Sequence, residues 1–236
     1  MEKRCIIACK VLWREINYLT SKSPYYYHIV YIDQGMHNEP KELNRHLQEK
    51  IDDLEKEYST ILIGYGLCSN GIVGINSRTA RLVLMRGHDC ITFFLGSKDR
   101  YMSNFEKFPG TYWYNTGWID MSDLPQKELY ERKYLEYCEK YDEDTAQYLI
   151  ESEKEWLSKY NTISYINQGI IDETKYKEQT KATAAYLNWD YKELEGNLKL
   201  LEDWISGNWN DERFLVVDPN LSVEASFDET IIKKGL

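Results

Sequence analysis

Three cysteines, two histidines and an arginine, each just behind an apolar run, are the residues of this sequence best suited to chemistry. "MRGHDC" (85–90) sets Arg86, His88, Asp89 and Cys90 behind the apolar residues 82–84. Cys9 closes "CIIAC", Cys68 follows "TILIGYG", and His37 sits in "DQGMHNEP" behind "HIVYID". Three thiols with one or two imidazoles form a soft ligand set, suited to zinc or to an iron–sulfur cluster with one open iron. Cys9, Cys68 and Cys90 each stand at or near an expected helix start. There the partial positive charge and unpaired N–H groups lower a cysteine's pKa, and Arg86 would add to that field. The sequence therefore predicts thiolates. Cys9, Cys68 and Cys90 are the candidate metal ligands, with His37 or His88 as a fourth ligand. His88 is also the candidate proton donor or base, and Arg86 the candidate partner of an anionic group. No CxxC pair occurs, so the spacing is not that of a zinc ribbon or a ferredoxin, and any such site is assembled from distant turns.

The elements that must bring these turns together follow one grammar over the first hundred residues. Short apolar runs at 5–9, 28–33, 60–66 and 81–85 alternate with segments of helical or turn character. Leu12, Ile16 and Leu19 share a helical face, and so do Leu43, Leu47, Ile51, Leu54 and Tyr58 of a helix expected from about 40 to 58. Pro40 suits that helix's first turn, where its missing N–H costs nothing. Asp89 is a good N-cap for a helix beginning beside it. Strands that are apolar throughout and alternate with helices predict a mostly parallel, Rossmann-like open α/β sheet covered by helices. The second half reads as helix-rich. Strands are expected at 111–115, 162–166 and 214–217, and long charged helices at about 124–160 and 174–206, the last stopped by Gly207. One domain is expected over 1–236, with a soft division near 120. Every chemistry-bearing turn then falls at the carboxyl edge of the sheet, where open α/β proteins bind ligands.

"GYGLCSNGIVG" (64–74) has the glycine content of a phosphate cradle, but neither the Lys-Ser/Thr of a P-loop nor GxGxxG spacing. Gly66, Asn70 and Gly71 are its candidate ligand-binding positions. Its glycines more simply let the backbone pass close to a ligand or a neighbouring strand. Cys5 and Cys138, like His28 and His46, read as structural. Trp118 in "NTGWID" could floor a pocket, though a core position suits it better.

A net charge of −10 over 236 residues offers no basic stripe for nucleic acid or an anionic membrane surface. No apolar run nears the roughly 20 residues that cross a bilayer. The start "MEKRCIIACKVLW" reads as a first strand rather than a signal peptide. Five cysteines without an export signal then point to a reducing compartment, the cytoplasm, and to free thiols.

"IIAC", "MHNEP", "YGLCSNG", "RGHDCI…LGS" and "GWID", followed by "WDYKELEGNLKLLEDWISGNW" and "FLVVDPN", resemble in order an uncharacterised family catalogued as domain of unknown function 1638. Its motifs map onto Cys9, His37, Cys68, His88, Asp89 and Cys90. The chain departs from it in "ACK" and "LCSNG", where family members often have glycine after the cysteine. The resemblance implies a role near anaerobic one-carbon or corrinoid-dependent methyl transfer, with corrinoid reached through a partner. Three functions stay open: a Cys/His metal protein binding a small thiol, methyl donor or corrinoid-related ligand; a non-enzymatic accessory of a corrinoid methyltransferase; and a metal-free enzyme using one reactive cysteine, with His88 as base.

Overall fold

The computed structural model describes residues 4–235, the side chain of His37 excepted. β1 (Arg4–Cys9) runs through a 3-10 turn into α1 (Trp13–Ser21). β2 (Tyr27–Ile32), a second such turn at Gln34–Asn38 and α2 (Pro40–Leu54) follow. β3 (Thr60–Gly64) is joined by a long turn to β4 (Arg81–Met85), and then come α3 (Cys90–Leu95) and α4 (Lys98–Lys107). β5 (Thr111–Tyr114), α5 (Thr116–Met121), α6 (Lys127–Cys138), α7 (Glu143–Lys154), β6 (Thr162–Asn167), α8 (Thr174–Leu187) and β7 (Asp190–Glu195) continue the chain. It ends with α9 (Lys199–Ser206), β8 (Phe214–Val217), β9 (Ser222–Ala225) and β10 (Ile232–Gly235).

The chain divides into two compact units, one of residues up to Tyr101 with those from Gly196 onward, the other Met102–Glu195. One domain with a soft division near 120 is expected from the sequence; residue 120 falls inside the second of these units. The segment from α9 to β10 returns to the first unit, and β8 joins its sheet, a long-range closure that local composition does not announce.

In the first unit the strand order is β2-β1-β3-β4-β8, parallel except for β8, which pairs antiparallel with β4. β1, β3 and β4 are buried almost throughout, as an α/β sheet covered on both faces requires. Ile16 of α1, Leu43, Leu47 and Ile51 of α2, and Leu201 and Trp204 of α9 are fully buried. Each such apolar side chain stabilises the fold by roughly 1.5–3 kcal/mol relative to exposure. Trp204 also donates its indole N–H to the Val83 carbonyl at 3.0 Å. β9 and β10 form a separate antiparallel hairpin.

The second unit has its own parallel sheet, β5-β6-β7. Tyr114, Leu124, Ile163, Tyr165 and Ala184 make its core, and Trp118 packs against them in the core role. β7, "DYKELE", lies within the stretch expected to be helical. Its residues favour helix, but pairing with β6 along the whole strand overrides that preference. The helix expected over 124–160 is broken into α6, α7 and a 3-10 turn, and α2 ends at Leu54 rather than 58. Among the described residues no helix is long and apolar enough to cross a membrane.

Candidate functional site

In the first unit β2 and β3 lie on opposite sides of β1, so the connections leaving β1 and β3 diverge. The crevice between them at the carboxyl edge is the topological switch point where open α/β sheets take ligands. Cys9 is the last residue of β1, and the Cys68 turn follows β3.

The β3 and β4 turns are zipped together beyond the sheet. Leu67 N–H donates to the Gly87 carbonyl and Cys68 N–H to the His88 carbonyl, both at 2.9 Å. Gly66 makes this possible: a Cβ there would stand 2.8 Å from both the Asp89 Cα and N. The glycine thus lets the backbone pass close to a neighbouring turn. Cys68, Ser69 and Asn70 then adopt φ of 46, 56 and 69°. Three successive non-glycine residues in the left-handed region cost on the order of 1–2 kcal/mol each and persist only where the surroundings hold them. Asn44 of α2 supplies part of that hold, donating to the carbonyls of Gly71 at 3.1 Å and Val73 at 2.8 Å. The C-terminal hairpin supplies more, since Gly74 N–H donates to Val223 at 2.7 Å. Cys68 is therefore not at a helix start, as the sequence led one to expect.

Cys90 is, as expected, the first residue of α3, with Asp89 as N-cap accepting from Ile91 N–H at 3.0 Å. The second Asp89 oxygen accepts from the Tyr101 hydroxyl at 3.2 Å. Cys9 caps the 3-10 turn that leads into α1.

Cys9, Cys68 and Cys90 lie within electrostatic reach of one another: Cys9 raises the pKa of both others, and Cys68 that of Cys90. Burial is the larger cause, lifting Cys9 to about 11 and Cys68 to about 12 and driving Cys90 upward as well. Cys68 and Cys90 keep some surface in contact with solvent, yet too little to offset that desolvation. The backbone N–H groups of Val11 and Lys10 do pull Cys9 down, but by less than burial pushes it up. The expectation of thiolates is thus reversed: all three are held as neutral thiols. Burial likewise raises Asp89, against the pull of Ile91, Tyr101 and His88.

His88 stands exposed on the rim of this turn. The side chain of His37, the other candidate fourth ligand, lies outside the described residues. Asn70 is exposed and Gly71 buried on the Cys68 turn. Arg86 points elsewhere. Its guanidinium donates to the carbonyls of Asp211 at 2.8 Å, Phe214 at 3.1 Å, Thr230 at 2.9 Å and Ile232. That ties β4 to the C-terminal segments and gives the expected anion contact no geometric support. Cys5 is fully buried within β1, and Cys138 ends α6 in the second unit. His28 stacks on Tyr58 with centroids 5.6 Å apart, and His46 lies 3.7 Å from Glu49 on α2.

Sequence reasoning missed Tyr65, Tyr101 and Asn44. Tyr65 carried a readable signal, since it directly follows the strand that delivers Cys68. Asn44 carried none, because nothing in a polar helix position marks the loop it will hold.

Strand order, covering helices and a crevice at the switch point define a Rossmann-like α/β protein. The chain belongs to the family described as protein of unknown function (DUF1638), whose model matches residues 31–205. No curated protein and no solved structure matches it.

Proposed function

We propose that the carboxyl-edge crevice of the first sheet is a soft-metal site, for zinc or an iron–sulfur cluster, ligated by Cys9, Cys68 and Cys90 with His88 or His37 completing the set. The observation that carries the reading is that three thiols from three turns distant in sequence lie within electrostatic reach of one another at the carboxyl edge of the sheet. A cation there supplies the charge that neutral, desolvated thiols need in order to ionise. The donor set is soft and favours zinc or iron over magnesium or calcium. Among the described residues no three His, Cys, Asp or Glu side chains are already grouped to hold a metal ion.

When bound, zinc would lower the pKa of a bound thiol or water, and an open iron would take sulfur or oxygen directly. The chain's own residues do the positioning. Asp89 fixes the start of α3, Asn44 fixes the Cys68 turn, and exposed His88 is placed to hold or pass a proton at the rim. The free thiols suit a reducing compartment, the cytoplasm. The setting that the family resemblance implies is anaerobic one-carbon or corrinoid-dependent methyl transfer, with a small thiol, methyl donor or corrinoid-related ligand, corrinoid being held by a partner. An accessory role beside a corrinoid methyltransferase would show the metal without turnover. A metal-free cysteine nucleophile is the weaker reading, because the thiolate is the nucleophile and these thiols are kept protonated.

The test is elemental analysis and the visible spectrum of protein purified without oxygen. The expected result is about one zinc, or several irons with sulfide, per chain. Serine at Cys9, Cys68 or Cys90 should strip most of it, while Cys5→Ser and Cys138→Ser should retain it. Protein that takes up neither metal refutes the proposal.

A further inference from the structure

The second unit has a cleft of its own, about 660 Å³ in volume, between α6, the end of α7 and the 3-10 turn Glu155–Lys159. That is room for a small molecule. Its floor is apolar, built from the buried side chains of Pro125, Leu129 and Tyr130. Trp156 forms one wall. It is 37% exposed, and its ring is held by Tyr112 and Tyr160, each 5.6 Å away between centroids. An indole fixed in this way can stack on a flat ligand with little further loss of freedom.

Tyr130 is only 5% exposed, and the Lys154 ammonium stands 4.4 Å over its ring. Its hydroxyl makes no hydrogen bond among the described residues, although buried phenols normally make one. Because Tyr130 lines the cleft, that donor is left for whatever enters. The Lys133 ammonium is already engaged, 2.6 Å from Glu153, whose other oxygen takes the Tyr137 hydroxyl. Lys159 and Glu155, at the two ends of the 3-10 turn, enter no ion pair among the described residues. A stacking wall, a spare donor and one uncommitted charge of each sign fit one kind of ligand. We propose that the cleft binds a small aromatic zwitterion, an aromatic amino acid. Its ring lies on Trp156, its carboxylate meets Lys159 and the Tyr130 hydroxyl, and its ammonium meets Glu155. Asp123, Glu153 and Glu155 outnumber Lys133 and Lys159 along the lining, so a polyanion such as a nucleotide is repelled. The site uses none of the thiols, so it holds whether or not a metal is bound.

Isothermal calorimetry on the full chain compares L-tryptophan with tryptamine, which lacks the carboxylate, indole-3-propionate, which lacks the ammonium, and ATP. L-Tryptophan should bind about fivefold more tightly than either truncated analogue, and ATP should not bind. Trp156→Leu should weaken L-tryptophan by about tenfold and Lys159→Gln by about fivefold. Lys107→Gln, which does not line the cleft, should match wild type. Lys159 is exposed, so its variant keeps the test decisive even if Trp156→Leu fails to fold. No heat from L-tryptophan, equal binding of the three indoles, or tighter binding of ATP overturns the inference. So does L-tryptophan binding that Lys159→Gln leaves unchanged.

Discussion

Asp89 accepts from the Ile91 N–H through one carboxylate oxygen and from the Tyr101 hydroxyl through the other, while the adjacent His88 side chain stands exposed. The two neighbours should therefore fail in different assays. Asp89→Ala should cost about 1 kcal/mol for the lost cap, with a further loss from the stranded Tyr101 hydroxyl. His88→Ala should leave the melting temperature unchanged and alter metal content or turnover. Thermal melts and metal content of both variants decide it, and a His88→Ala protein that melts early with its metal intact would make His88 a packing residue. The thiols themselves lead to a second expectation. Because burial holds Cys9 near 11 and Cys68 near 12, a metal entering at neutral pH must displace their protons. Apparent zinc affinity should rise between pH 6 and 8 by about tenfold per pH unit for each proton released. Calorimetry in buffers of different ionisation enthalpy counts those protons. Uptake that releases none would mean the ligands lie elsewhere.

At the scale of elements, the site depends on two turns zipped by a pair of 2.9 Å backbone hydrogen bonds, and Gly66 is the residue that lets them approach. Gly66→Ala should cost roughly 1–3 kcal/mol as an overpacked contact, because the clashing atoms are the backbone of Asp89 and have no rotamer to escape into. It should also weaken metal binding, since the turns carrying Cys68 and Cys90 would be pushed apart. Urea denaturation and cobalt affinity of the variant test this, and wild-type values in both would show that the turns need not touch. The strands and caps behind these turns were legible in the sequence. Periodicity located β1 to β4, and Asp89 announced α3 by its residue type. The left-handed run at 68–70 was not legible, because Cys and Ser carry no preference for that conformation. It is imposed by Asn44 and the C-terminal hairpin, which lie far away in sequence. The polar strand β7 was hidden for a related reason: a strand built from good helix formers is decided by its partner strand.

For the whole molecule, alternation of strands and helices announced the α/β class, whereas the division into two units stayed hidden because the chain leaves the first unit within α4 and returns only just before α9. Titration is a property both units share. Burial raises Cys5, Cys9, Cys68, Tyr31 and Tyr65 in the first and Tyr114 and Tyr165 in the second. Each is an acid held neutral by the fold, with a folded pKa above its unfolded value. Its contribution to stability is therefore complete below the unfolded values of 9.0 for thiols and 10.0 for phenols, and is lost as pH climbs through the folded ones. Stability should hold up to about pH 9 and then fall steeply toward pH 11 and 12, with the net charge of −10 growing and adding self-repulsion. Cys9 alone, moved from 9.0 to about 11, accounts for roughly 3 kcal/mol of that loss at about 1.4 kcal/mol per tenfold change in ionisation. Denaturation of metal-free protein at pH 8, 9.5 and 11 measures the fall, and Cys9→Ala, which removes one titrating group, should make it shallower. A stability that stays level to pH 11 would mean that these thiols and phenols meet solvent already in the native state.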